Sequence, residues 1–241
     1  MWNLLRSEML KLKNSYMLFV VFIGGVFMPG LLVIGRLVTN DGPRVWIEYF
    51  STIETAMFIF LGMILFSLIS SYVFTREYTE KTINFLFTYP IHRTKIFFGK
   101  LIVVYAVIVL TYCIQFLAIL ATGVFLMEDS LTSQMFTSQL KANGYSLLFQ
   151  FALVPIYTLL GSVYKNLMVP IIISSICTVS NLLIFTSDYK EYSPFMAPGL
   201  PVFALKNTTI NFTPIVIISL STFFIFLIAN LIYHTKADIH Q

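Results

Sequence analysis

Seven of the 26 acidic and basic side chains in this 241-residue sequence fall within residues 74–100, FTREYTEKTINFLFTYPIHRTKIFFGK, between two apolar runs. The spacing puts Glu77, Glu80, Lys81 and Asn84 on one arc of a helix, with Ile83, Leu86 and Phe87 beside and behind it. Glu77 and Lys81 stand i, i+4 with the acid first, the order that suits a helical ion pair worth about 0.2–0.5 kcal/mol. Pro90 stops such a helix and biases Tyr89 towards extended backbone, after which His92, Arg93 and Lys95 lead back into an apolar run. Positive charge is what a membrane flank needs, and that accounts for Arg93, Lys95 and Lys100. Acids give no such help. Arg76, Glu77, Glu80 and Lys81 together therefore read as a mixed-charge surface for a protein partner.

Catalysis has little to work with. His92, His234 and His240 all lie at the edges of apolar runs or at the end of the chain. A metalloprotease cluster or a Ser–His dyad inside a membrane thus lacks its histidine. Cys113 and Cys177 sit singly in apolar runs without metal-ligand spacing and read as core residues, so no metal site is expected. The phosphate-cradling pattern GxxxxGK(S/T) is absent, since Gly99-Lys100 is followed by Leu101 and position 94 is Thr. The chain is expected to be no enzyme by itself and to hold no cofactor.

Other polar groups lie within apolar runs. Ser174, Thr178 and Asn181 recur at i, i+4 and i+7 and share one helical face. Gln115 lies near Thr111 and Thr122 on another face, Gln150 and Asn230 stand isolated, and Glu54 marks the outer start of a run. Glu54, Gln115, Ser174, Thr178 and Asn181 are candidates for a substrate path or a dimer interface, with plain helix packing as the alternative.

The elements that must position these groups are membrane spans. The sequence is 58% hydrophobic and 11% charged, against about 25% charged for a soluble domain. A helix needs about 20 apolar residues to cross hydrocarbon about 30 Å thick. Six windows qualify, at about 16–36, 53–74, 98–126, 144–164, 167–187 and 212–234, within a single transmembrane domain covering 1–241. The expected fold class is an all-α integral membrane protein. An N-terminal interfacial helix presents Trp2, Leu5, Met9 and Leu12 on one face, and a cytoplasmic helix at about 76–89 joins the second and third spans.

Lys and Arg in the connections divide ten against five, which places both termini in the cytoplasm. The basic residues form no stripe interleaved with stacking aromatics, so the net charge of +4 points to no nucleic acid. A few residues around Lys165-Asn166 make a tight hairpin of the fourth and fifth spans. The outer connection at 188–211 carries Pro194, Pro198 and Pro201 among apolar residues, which forbids a regular helix yet argues for partial burial.

The run Arg76-Glu77, Glu80-Lys81-Thr82, Leu86, Pro90, Arg93 and Lys100 resembles the signature between the second and third spans of small type-2 ABC-transporter permeases. Lys81 stands where many members have Gly, a departure read as leaving the helix intact. The resemblance covers about 25 residues as a motif and the whole chain as an architecture. It implies a coupling helix lodged in a separate ABC ATPase subunit, present in two copies and holding the ATP and magnesium. Arg76, Glu77, Glu80, Lys81 and Thr82 would make contacts, Leu86 and Pro90 would shape the helix, and Arg93 and Lys100 would hold its return at the lipid surface. It further implies a second permease chain, identical or homologous, in a bacterial plasma membrane. The implied function is export of an antimicrobial or amphipathic peptide. Alternatives are a polysaccharide or lipid-linked substrate, or a non-transporting scaffold or sensor that recruits a cytoplasmic partner.

Overall fold

Long charge-free runs leave the backbone few ways to satisfy its N–H and C=O groups in hydrocarbon, and the helix is the local one. The computed structural model, which describes residues 2–13, 15–39, 42–82, 92–205 and 210–236, is all-helical and has no strand among those residues. In chain order the helices are α1 (Trp2–Lys13), α2 (Met17–Thr39), α3 (Trp46–Ala56), α4 (Met63–Thr79), α5 (Arg93–Leu126), α6 (Ser133–Tyr164), α7 (Met168–Ile184), α8 (Leu200–Ala204) and α9 (Phe212–Lys236). A π-helical stretch, Met57–Gly62, joins α3 to α4 without a break. Among the described residues, five helices are long and apolar enough to cross a membrane, and α7, at 17 residues, is a shorter apolar helix beside them.

The helices pack in an order that the chain connectivity does not suggest. α2 lies along α5, α4 lies against both α6 and α7, and α9 runs along α6. Val21, Phe50, Ile53, Ile69, Val104, Ile108 and Val154 are fully enclosed between them. Large apolar side chains such as Phe19, Phe22, Phe224 and Ile228 remain exposed, as the flanks of a bundle in lipid would. Close contact of α4 with α6 depends on Gly161, where a Cβ would come within 3.2 Å of the Ser71 Cα.

Several helices overrun their sequence-based bounds. The helix that carries the second span begins at Trp46, ahead of the span expected from about 53; that of the third begins at Arg93, ahead of 98, and that of the fourth at Ser133, ahead of 144. Each of these helices has 32 or 34 residues and is about 50 Å long, well beyond the hydrocarbon thickness. Glu54 therefore lies two turns inside a helix, not at its start. The ends are fixed by tertiary partners: the Trp46 backbone N–H donates to Asp129 Oδ1 at 3.1 Å and its indole N–H to the Asp129 carbonyl at 3.1 Å.

The helix expected at 76–89 takes a different form where it is described. Arg76 to Thr79 are the last residues of α4, continuous with the second span, and 83–91 lie outside the described residues. α1 forms as expected. Glu8 and Leu12 are its buried residues, Leu4, Leu5 and Lys11 flank them, and Trp2 (77% exposed) and Met9 face outward. Lys11 pairs with Glu77 of α4, and Glu8 pairs with Lys11 along α1.

The proline-rich connection folds back onto α3 and α6. It comprises a 3-10 turn (Asp188–Tyr192), a run of turns and the short α8, with Met196, Ala197 and Leu200 buried. Pro201 does not prevent α8, because it sits in the first turn, where its missing N–H has no partner to lose. This end of the molecule is called distal below, and the end holding α1 and the end of α9 proximal.

Candidate functional site

At the proximal end, α4 stops because the chain turns back on it in a Schellman arrangement. The Thr82 N–H donates to the Glu77 carbonyl at 2.9 Å and the Lys81 N–H to that of Tyr78 at 3.2 Å. Lys81 takes the left-handed conformation this motif needs, with φ +55°. The position usually goes to glycine because a Cβ there is strained. Lys81 thus ends the helix, which corrects the expectation that it leaves the helix intact. Among the described residues, its anticipated ion pair with Glu77 does not form. The i, i+4 pair present is Arg76 with Glu80, Nε to Oε1 at 2.7 Å.

Glu77 points inward and is 4% exposed. Lys11 Nζ from α1 donates to its Oε1 at 2.8 Å, and Lys100 Nζ from α5 donates to its Oε2. Lys11 also pairs with Glu8, and Lys100 also reaches the Val73 carbonyl at 3.4 Å. The Arg76 guanidinium adds a bond to the Lys11 carbonyl at 2.5 Å. Two acids and two lysines thus form a charge-balanced cluster joining α1, α4 and α5. Burial alone would lower the Lys11 pKa, but its bonds to Glu77 and Glu8 outweigh that and hold it above the ordinary lysine value.

Among the residues offered as docking contacts, Glu80 and Lys81 are exposed, Thr82 and Arg76 are half-buried, and Glu77 is enclosed. Arg93 opens α5 and is half-buried. Lys100, expected at the lipid surface, is 5% exposed and bound to Glu77 instead, because a buried carboxylate offers an ammonium more than lipid does. Leu86 and Pro90 lie outside the described residues.

The five polar residues within the spans separate into two groups. Ser174, Thr178 and Asn181 are the buried face of α7, which packs against α4. The hydroxyls of Ser174 and Thr178 donate to carbonyls of their own helix, Ile171 at 2.9 Å and Ser174 at 2.8 Å. The Asn181 amide donates to the Phe195 carbonyl at 3.1 Å and so anchors the distal connection. This face is covered within the chain, as helix packing would leave it. Glu54 and Gln115 instead line one cavity of about 30 Å³ below the distal connection. Asn143 Nδ2 donates to Glu54 Oε1 there at 3.1 Å.

Sequence reasoning missed two contacts made between distant segments. Asn230 is not isolated: its amide donates to the Pro155 carbonyl at 2.8 Å and ties α9 to α6. His234 is packed between the rings of Phe74 and Phe97, and its Nε2 lies 3.2 Å from Ser162 Oγ. A Ser–His contact therefore exists at the proximal end. The Tyr233 hydroxyl donates to the Ser162 carbonyl beside it, so the pair closes α9 onto α6. Among the described residues, no group of three or more His, Cys, Asp or Glu is arranged to hold a metal ion.

Residues 4–181, from α1 to the buried face of α7, match a family model described as ABC-2 family transporter protein. Over 210 residues, 83% of this chain and 96% of the relative, the sequence is 27% identical to a bacitracin transport permease protein, BCRB, of Bacillus licheniformis. The match is to proteins of transport, and the proximal cluster and the distal cavity are the two polar constructions it must accommodate.

Proposed function

We propose, from the premise that this chain belongs to the ABC-2 transporter family and is a permease subunit in the membrane, that it serves an ATP-driven exporter of an antimicrobial or amphipathic peptide. The observation that carries this reading is the cluster at Glu77. It fastens both ends of the segment between α4 and α5, together with α1, into one unit. A partner that displaces that segment moves three helices at once. The exposed Glu80 and Lys81 stand at its entrance, where a cytoplasmic ATPase subunit would meet them.

The distribution of Lys and Arg supports cytoplasmic termini and so puts this end on the side where ATP is available. Two ATPase copies and a second permease chain, identical or homologous, complete the assembly. They supply the nucleotide chemistry and the facing half of the path. The peptide reading rests on the bacitracin transport permease to which the chain is similar. Its counterpart in architecture is a set of spans rich in Phe, 24 in the chain, with two Trp.

The experiment is deletion of the gene followed by exposure to bacitracin and a panel of amphipathic peptides. Hypersensitivity restored only when this chain and its ATPase are both supplied is the expected outcome. Unchanged resistance together with an accumulating lipid-linked glycan would overturn the peptide reading.

A further inference from the structure

The distal cavity sets an electrostatic problem. Glu54 is 5% exposed, and among the described residues the one hydrogen bond to its carboxyl group is that from Asn143 to Oε1. No described cation forms an ion pair with it. Its Oε2 has no partner, and neither do Ser146 Oγ or Gln150 Nε2, which are also buried and line the same cavity. An ionised carboxylate in that position would be an uncompensated charge inside a bundle, among the most expensive arrangements a protein can hold.

The three unpartnered atoms complement a small hydroxylic guest rather than a metal ion. Gln150 Nε2 is a donor, which a cation would leave facing positive charge, whereas Ser146 Oγ can donate or accept. A volume of about 30 Å³ has room for one or two water molecules. Of the residues lining the cavity, Glu54 and Tyr112 alone titrate; α6 contributes amides and a hydroxyl, and the distal connection contributes Pro198, Gly199 and Val202.

We propose that this cavity is a proton site. Glu54 is held there as the neutral acid, joined to Ser146 and Gln150 through one or two waters, and exchanges its proton with the distal medium when the connection above it lifts. With the connection seated the site is neutral. Once bulk water enters, the carboxyl ionises and the distal mouth gains a negative charge. The lid is closely fitted: a Cβ on Gly199 would lie 2.5 Å from Cδ1 of the Phe58 ring, so any side chain there must push the connection or the ring aside.

The test is infrared spectroscopy of the full-length chain in lipid nanodiscs, as a difference between wild type and Glu54→Gln. At neutral pH the wild type should show the C=O stretch of a protonated carboxylic acid, shifted in D2O and missing from the variant. A pair of ionised carboxylate bands in its place would overturn the proposal. Should Glu54→Gln fail to fold, the wild-type spectrum decides alone, since absence of a protonated-acid band at neutral pH has the same consequence. Gly199→Ala should speed the D2O shift of that band several-fold, and an unchanged exchange rate would overturn the gating by the distal connection.

Discussion

Glu77 and Lys100 form an enclosed ion pair that joins the last turn of the second span to the first turns of the third, with Lys11 of α1 on the other carboxylate oxygen. The end of the second span and the start of the third are therefore held to each other at a single point. Removing one member of such a pair strands the other's charge in a buried site, at a cost of about 3–5 kcal/mol. Lys100→Met should lower the thermal unfolding midpoint of the purified chain sharply. Glu77→Gln/Lys100→Met should recover part of the loss, and a double variant worse than the sum of the singles would contradict the pairing.

Lys11 adds a pH dependence. Its pKa is raised above the ordinary 10.5, so the stability it contributes is fully present below that value and is lost as pH rises through the folded pKa. Stability followed from neutral to strongly alkaline pH should fall above about 10.5 in the wild type. Lys11→Met should be less stable at neutral pH and show a shallower alkaline decline.

Lys81 occupies a backbone position that favours glycine. A non-glycine residue in left-handed conformation costs roughly 1–2 kcal/mol, part of which Lys81→Gly should return as a higher unfolding midpoint. Lys81→Val, β-branched and still more strained at positive φ, should move the midpoint the other way. Equal midpoints in all three proteins would mean that the turn is not held as described.

The spans were legible because a charge-free run of sufficient length has one structural use in lipid. Their ends were not, because charge was treated as a boundary. Glu48, Arg76, Glu77, Lys95 and Lys141 all lie within the long helices that carry the spans, beyond the bounds read from the sequence. The inward placing of Glu8 and Lys11 on α1 was missed because Glu77, the partner of Lys11 on α4, lies 66 residues away. Nothing local in Lys81, a good helix former, announces a left-handed cap. The contact of Ser162 with His234 spans 72 residues and has no local signal either.

Asn181 tests whether the distal connection is held from below. Its amide donates to the Phe195 carbonyl, and leaving that carbonyl without a partner costs about 1–3 kcal/mol. Asn181→Leu should loosen the connection, so that a protease added from the distal side cuts near residues 188–196 faster than in wild type. Fold and assembly elsewhere should be retained, because Ser174 and Thr178 bond within their own helix.

Glu80 separates partner docking from internal support. It is exposed and its pair with Arg76 is an i, i+4 contact at the surface, worth about 0.3–0.5 kcal/mol. Glu80→Lys should therefore leave the unfolding midpoint of the isolated permease nearly unchanged. If Glu80 meets the ATPase subunit, the same substitution should weaken complex formation and ATP turnover in reconstituted vesicles by an order of magnitude. Glu77→Lys would lower both readouts together, because it breaks the buried cluster before any partner is involved. A Glu80→Lys permease that binds and stimulates its ATPase normally would move the docking surface away from this turn and onto residues 83–91.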